Sequence, residues 1–215
     1  MGDATEQMSE VKSAAEYSPA EQEARSVGVA AVSWLLTYPQ EGTWRDELFE
    51  LQNDLAAAPT DVASLLRPVL DEFLRTPVTI LQRRYVETFD FSDKRTLYLT
   101  AHELGDSRKR GTALIECKQL LEEAGYELAG SELPDYVPLL LEFLAVRPET
   151  SNTLSLEQRL AWVCGQVYAA LAEESLYRVI LRAALDLLPE VSPESGGGAR
   201  EEADLAELPY PLHYD

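Results

Sequence analysis

The sequence is poor in the residues that most catalytic and metal chemistry needs. It has two cysteines, Cys117 and Cys164, and two histidines, His102 and His213, in 215 residues. Two thiols cannot build a disulfide framework or a metal knuckle, and two imidazoles leave little for a His-rich metal site. The glycines are scattered apart from a run at 196–198, so no phosphate-cradling loop is present. Neither His-Glu-x-x-His nor Gly-x-Ser-x-Gly occurs. Bases are scarce too: 18 Lys+Arg face 38 Asp+Glu, a formal net charge of −20. This argues against nucleic acid, whose phosphates call for a basic face, and against docking on anionic lipid. No direct membrane insertion is expected, because the longest apolar stretch, residues 136–146, is short and interrupted by Glu142. Residues 1–6 hold neither a basic nor an apolar region, so no secretory leader is expected and the expected location is cytoplasmic.

Charge is concentrated at the ends. Residues 1–24 carry six acids and one base, and residues 189–215 carry seven acids and one base. The expected organisation is a disordered acidic tail over 1–17, a helical domain over 18–190, and a glycine-containing linker with an acidic tail over 191–215.

The domain reads as helix after helix. Ser18-Pro19-Ala20-Glu21 is a capping box with proline at the first helical position. Apolar residues then recur at helical spacing: Val27, Ala31, Trp34, Leu35 and Tyr38, with Pro39 ending the run; Trp44, Leu48 and Leu51; Leu66, Val69, Leu70 and Phe73, where Pro68 should kink or split the helix. A fourth helix carries Leu81, Tyr85 and Phe89. Leu97-Tyr98-Leu99 reads as helix, since no other segment offers a strand to pair with. Asp106 or Ser107 caps a helix that should end at Gly125. Leu133-Pro134-Asp135 opens another, Ser155-Leu156-Glu157-Gln158 looks like a second capping box, and a last helix runs to Pro189. The fold class is all-α, a bundle of about eight helices.

Two stretches stand out. Residues 83–110 hold seven bases against five acids, and Arg108, Lys109 and Arg110 crowd a helix start, against the helix dipole. Asp106 and Glu103 can neutralise them locally. In Glu132-Leu133-Pro134-Asp135-Tyr136, Asp135 can cap a helix, or Glu132 and Asp135 can offer two carboxylates to a cation of a bound peptide. Cys117 and Cys164 fall on apolar faces and read as buried structural thiols.

Together these stretches resemble the assembly chaperones of respiratory nitrate reductase, the delta-subunit or NarJ-type family. The match lies in Tyr85-x-x-x-Phe89-Asp90, in Leu97-Tyr98-Leu99 with His102-x-x-Gly105-Asp106-Ser107-Arg108-x-Arg110-Gly111, in Gly125, and in Glu132-Leu133-Pro134-Asp135-Tyr136-x-Pro138-Leu139. It covers about residues 25–188. Within the broader group of molybdenum-reductase chaperones, Thr88 stands where leucine is usual and Tyr136 where histidine is common. The resemblance implies an all-helical, non-catalytic protein without a cofactor. It implies that the protein binds the N-terminal segment of the apo catalytic alpha subunit, keeps it competent for molybdenum cofactor insertion, and leaves. The residues expected to meet that peptide are Tyr85, Phe89, Tyr98, His102, Asp106, Arg108, Arg110, Glu132, Pro134, Asp135 and Tyr136. Monomer and helix-swapped dimer both remain open. Two competing readings are a structural subunit of a permanent complex and a small enzyme using His102, Glu103 and Asp135.

Overall fold

The first helix starts where its sequence provides the cap. The Glu21 backbone N–H donates to the Ser18 hydroxyl at 3.3 Å, and the Ser18 N–H donates to the Glu21 carboxylate at 2.8 Å. In a computed structural model the chain is described over residues 18–128, 130, 132–147 and 153–191. The tails assigned to 1–17 and 191–215 lie outside these residues, Val191 excepted. Among the described residues there are nine α-helices: α1 (Pro19–Leu35), α2 (Trp44–Asp54), α3 (Thr60–Arg75), α4 (Val78–Phe89), α5 (Leu99–Leu104), α6 (Lys109–Glu123), α7 (Val137–Val146), α8 (Thr153–Ala170) and α9 (Leu176–Leu187). A single 3-10 turn, Leu55–Ala57, extends α2. The class is all-α, as the spacing predicts.

Helix α9 shows how the bundle closes. Tyr177, Ile180, Leu181, Ala184 and Leu187 recur every three or four residues and are all buried. That face packs on α1, α3 and α8, while α1 also lies along α7. On α3, Leu66, Leu70 and Phe73 are at most 2% exposed, and burying each contributes about 1.5–3 kcal/mol. Gly28 lets α1 come close to α9: a Cβ there would sit 3.0 Å from Leu187 Cδ2. Arg25 ties three helices, donating to the Leu187 carbonyl at 2.8 Å and to Glu157 of α8 at 2.6 Å. The buried Ser33 hydroxyl donates to the Pro138 carbonyl at 2.7 Å and so joins the end of α1 to the start of α7.

Several local expectations need correction. Leu97 and Tyr98 are not helical. Tyr98 forms an isolated antiparallel bridge with Tyr136. The Leu99 N–H donates to the Asp135 carbonyl at 2.9 Å and the Val137 N–H to the Leu97 carbonyl at 2.8 Å. A pairing segment does exist, in the turn before α7, and it is too short to leave a period-two pattern. That turn is also why α7 begins at Val137 and not at Leu133-Pro134-Asp135. Helix α3 runs unbroken through Pro68. The ring is exposed, so the carbonyl it leaves without a partner faces water. Ser155 is no cap, because α8 is already helical from Thr153. Gly125, by contrast, ends α6 as expected, with φ +84° and the Tyr126 N–H donating to the Leu121 carbonyl at 2.9 Å.

Candidate functional site

The bridge between Tyr98 and Tyr136 organises the region that the sequence marks. Their rings lie 5.5 Å apart. Behind them, the Tyr85 and Tyr136 hydroxyls share a hydrogen bond of 2.7 Å, and the Tyr136 hydroxyl reaches the Leu36 carbonyl at 3.4 Å. The Tyr98 hydroxyl donates to the exposed Glu132 at 3.1 Å. Burial, then the Glu132 charge, pushes the Tyr98 phenol up to about 12, so it remains a donor at neutral pH. Burial likewise raises the Tyr85 and Tyr136 phenols above the ordinary tyrosine value.

Asp135 points inward. It is fully buried, and its Oδ2 accepts from the Thr100 hydroxyl at 2.5 Å and from the Thr100 N–H at 3.1 Å. It caps a helix, but the helix is α5, not its own. Arg110 Nε donates to the same Thr100 hydroxyl at 3.2 Å, completing a relay from α6 through α5 to Asp135. Among the described residues Asp135 Oδ1 has no hydrogen-bond partner. Of the two readings open for this stretch, the pair of carboxylates facing one cation does not form, since Glu132 is outside and Asp135 inside. Glu103 does not neutralise the basic run, because it forms a two-pronged pair with Arg159 of α8, both contacts at 2.7 Å.

The remaining marked residues fall into two groups. Tyr85 and Phe89 are buried at 6% and 3% exposure and stack into an aromatic cluster with Tyr177, whose ring lies 4.8 Å from Phe89 and 6.0 Å from Tyr85. They support the surface from beneath. His102 is half-buried, with Nε2 2.8 Å from the Thr96 carbonyl. Asp106 and Arg108 are exposed, and Pro134 is half-buried. Tyr177 and Tyr38 were not marked as site residues by the sequence reading. Tyr177 is the one aromatic in the α9 stripe, a signal that periodicity treats as ordinary core.

A cleft of about 250 Å³ opens beside Tyr136. Thr37, Leu128 and Leu139 line it, with Glu132 and Glu142 among its walls. Its volume suits one or two side chains rather than a whole ligand. The groups a small-molecule enzyme would use are engaged elsewhere: His102 with Thr96, Glu103 with Arg159, Asp135 with Thr100. Among the described residues no three His, Cys, Asp or Glu side chains are placed to hold a metal ion, and no helix is long and apolar enough to cross a membrane. Both thiols are buried, and burial pushes Cys164 up to about 12, which leaves it a poor nucleophile.

The family model described as nitrate reductase delta subunit matches residues 39–174, a span that contains the whole Tyr85–Tyr136 region. The chain belongs to the nitrate reductase delta subunit family. Two relatives carry closely similar names. The Bacillus subtilis protein named "Probable nitrate reductase molybdenum cofactor assembly chaperone NarJ" is 32% identical over 187 residues, covering 85% of this chain and 96% of that protein. The Escherichia coli (strain K12) protein named "Nitrate reductase molybdenum cofactor assembly chaperone NarJ" is 32% identical over 164 residues, 75% of this chain and 69% of that one. These relatives are named as assembly chaperones, not as catalysts. A crystal structure described as "A Putative Redox Enzyme Maturation Protein From Archaeoglobus Fulgidus" has a similar fold, with a TM-score of 0.53 at 22% identity, covering 75% of this chain and 91% of that one.

Proposed function

We propose that the chain is an assembly chaperone for a nitrate reductase, acting in the cytoplasm. It binds the N-terminal segment of the catalytic alpha subunit before the molybdenum cofactor enters, holds that subunit in a receptive state, and dissociates afterwards. The observation that carries this reading is the cleft beside Tyr136, lined by the apolar Leu128 and Leu139 and by two glutamates, Glu132 and Glu142. Such a cleft suits an amphipathic segment, with an apolar side chain seated and a basic neighbour, three or four residues along, near a carboxylate. The kind of partner follows from what the relatives are named for.

Work by binding needs no catalytic group. A protein that prefers the apo subunit shifts its population by the difference in affinity between the two states. Cofactor insertion then removes the preferred state and releases the chaperone. In this reading Tyr98, Glu132, Pro134 and Tyr136 touch the segment, whereas Tyr85, Phe89, Asp135 and Arg110 hold those contacts in place. His102 fixes the chain between α4 and α5, and Asp106 and Arg108 lie at the rim. Titration calorimetry of the intact chain with a synthetic alpha-subunit N-terminal peptide tests it. Saturable binding with one peptide per chain is expected, weakened about tenfold by Leu139→Ala, which removes most of an apolar wall. No heat of binding at any peptide concentration would remove the reading.

A further inference from the structure

A second cleft, of about 230 Å³, lies beside the first, and Thr37 lines both. Trp34 near the end of α1, the exposed Tyr38 in the turn that follows and the buried Trp44 at the start of α2 line it, and Glu41 and Glu47 give it charge. The two indoles stack at 5.3 Å with their planes 23° apart. Glu47 is held in place: it accepts from the Thr43 hydroxyl at 2.5 Å and from Trp34 Nε1 at 3.4 Å. Among the described residues no base lines the cleft. The nearest in sequence, Arg45, is committed elsewhere, donating to the Leu74 and Thr76 carbonyls at 2.7 and 3.1 Å and so capping the end of α3. Among the described residues, two exposed carboxylates beside indole rings thus have no cation of their own in the cleft.

Tyr85 joins the two clefts from below. Its ring meets Tyr38 edge-on at 5.4 Å, and its hydroxyl meets Tyr136. The turn between α1 and α2 is pinned to α4 by Gln82, whose Nε2 donates to the Pro39 carbonyl at 2.9 Å. The two clefts are therefore parts of one fixed surface, with Thr37 between them.

We infer that the Trp34–Trp44 cleft seats a guanidinium or ammonium group, supplied by a basic residue of the same segment that occupies the cleft beside Tyr136. This rests on the reading above and adds a requirement to it: the segment carries at least one Lys or Arg outside the residues held by Tyr136. Aromatic faces and carboxylates attract a cation by the same electrostatics, and the −20 charge of the chain steers it there. The seat selects a segment by spacing between an apolar and a basic position, which one cleft cannot do.

A double-mutant cycle tests the inference with the intact chain. The probes are the synthetic alpha-subunit N-terminal peptide and the same peptide with every Lys and Arg replaced by Gln. Glu41→Gln/Glu47→Gln keeps the shape of both exposed side chains, so folding is not at stake. For the parent peptide the double variant should bind about fivefold more weakly at low salt, an effect that fades as salt is raised. For the neutral peptide it should bind as the wild type does. In a Trp162→Phe background, tryptophan emission from Trp34 and Trp44 should shift with the parent peptide and not with the neutral one. Equal affinity of double variant and wild type for the parent peptide overturns the cation seat while the chaperone reading stands. Equal weakening of both peptides overturns it too, since the effect would not pass through charge. Failure of the parent peptide to bind the wild type removes both.

Discussion

Thr100 and Asp135, 35 residues apart, are joined by two hydrogen bonds to one carboxylate oxygen, at 2.5 Å from the hydroxyl and 3.1 Å from the backbone N–H. Asp135 thereby caps α5 from a different part of the chain and fixes the Tyr98–Tyr136 bridge that lies between them. Asp135→Ala should therefore destabilise the fold by about 1–3 kcal/mol, the cost of buried donors left without their acceptor. Asp135→Asn, which keeps one acceptor, should cost less. Urea unfolding of the two variants measures both, and a neutral Asp135→Ala would remove the capping role.

Tyr136→Phe removes one hydroxyl and leaves Tyr85 without its 2.7 Å partner. The expected loss is about 1 kcal/mol of stability, with the ring still in place to wall the cleft. Peptide affinity should change less than twofold. A large loss of affinity at unchanged stability would show that the hydroxyl itself contacts the segment.

The Glu103–Arg159 pair is half-buried at the arginine and more buried at the glutamate, at 35% and 14% side-chain exposure. Its two parallel contacts join α5 to α8. Arg159→Met should destabilise by about 1–3 kcal/mol because Glu103 keeps its charge without a partner. Neither residue lines the cleft beside Tyr136, so peptide binding there should be unaffected. If Glu103 served a reaction or a ligand, its loss would instead act on binding with stability intact.

High pH should weaken the fold. Burial, then the Glu132 charge, pushes the Tyr98 phenol up to about 12 from an ordinary 10.0, and burial raises Tyr85, Tyr136 and Tyr177 as well. The unfolded chain loses these protons first, so stability is complete below pH 10 and falls as pH rises through the window from 10 towards 12 for Tyr98. Thermal melts at pH 8, 10 and 11 should show this fall. Tyr136→Phe should flatten it, since one of the titrating groups is gone.

The helices were legible because their signals are local. The Ser18–Glu21 box, the stripe on α3 and the glycine after α6 each sit within a few residues of what they specify. The site was legible only in part. Tyr85, Tyr98, Glu132 and Tyr136 were marked, but their division into support and surface depends on burial, which a residue pattern does not carry. Asp135 illustrates the limit: as a residue just before a helix it has an ordinary local role, and its actual partner is reached only through a single bridge between distant segments. Trp34 and Trp44 carry no separate signal for the same reason: at helical spacing an indole beside a cleft looks like one that fills a core, and Trp44 is both.

The central claim concerns what the alpha subunit lacks without this protein. The direct measurement is molybdenum per alpha subunit, by elemental analysis of nitrate reductase purified from a strain lacking the chain and from the same strain with the gene restored. The account predicts alpha subunit that is present, inactive and short of molybdenum in the deletion strain, with full content on restoration. Normal molybdenum content in the deletion strain would contradict it.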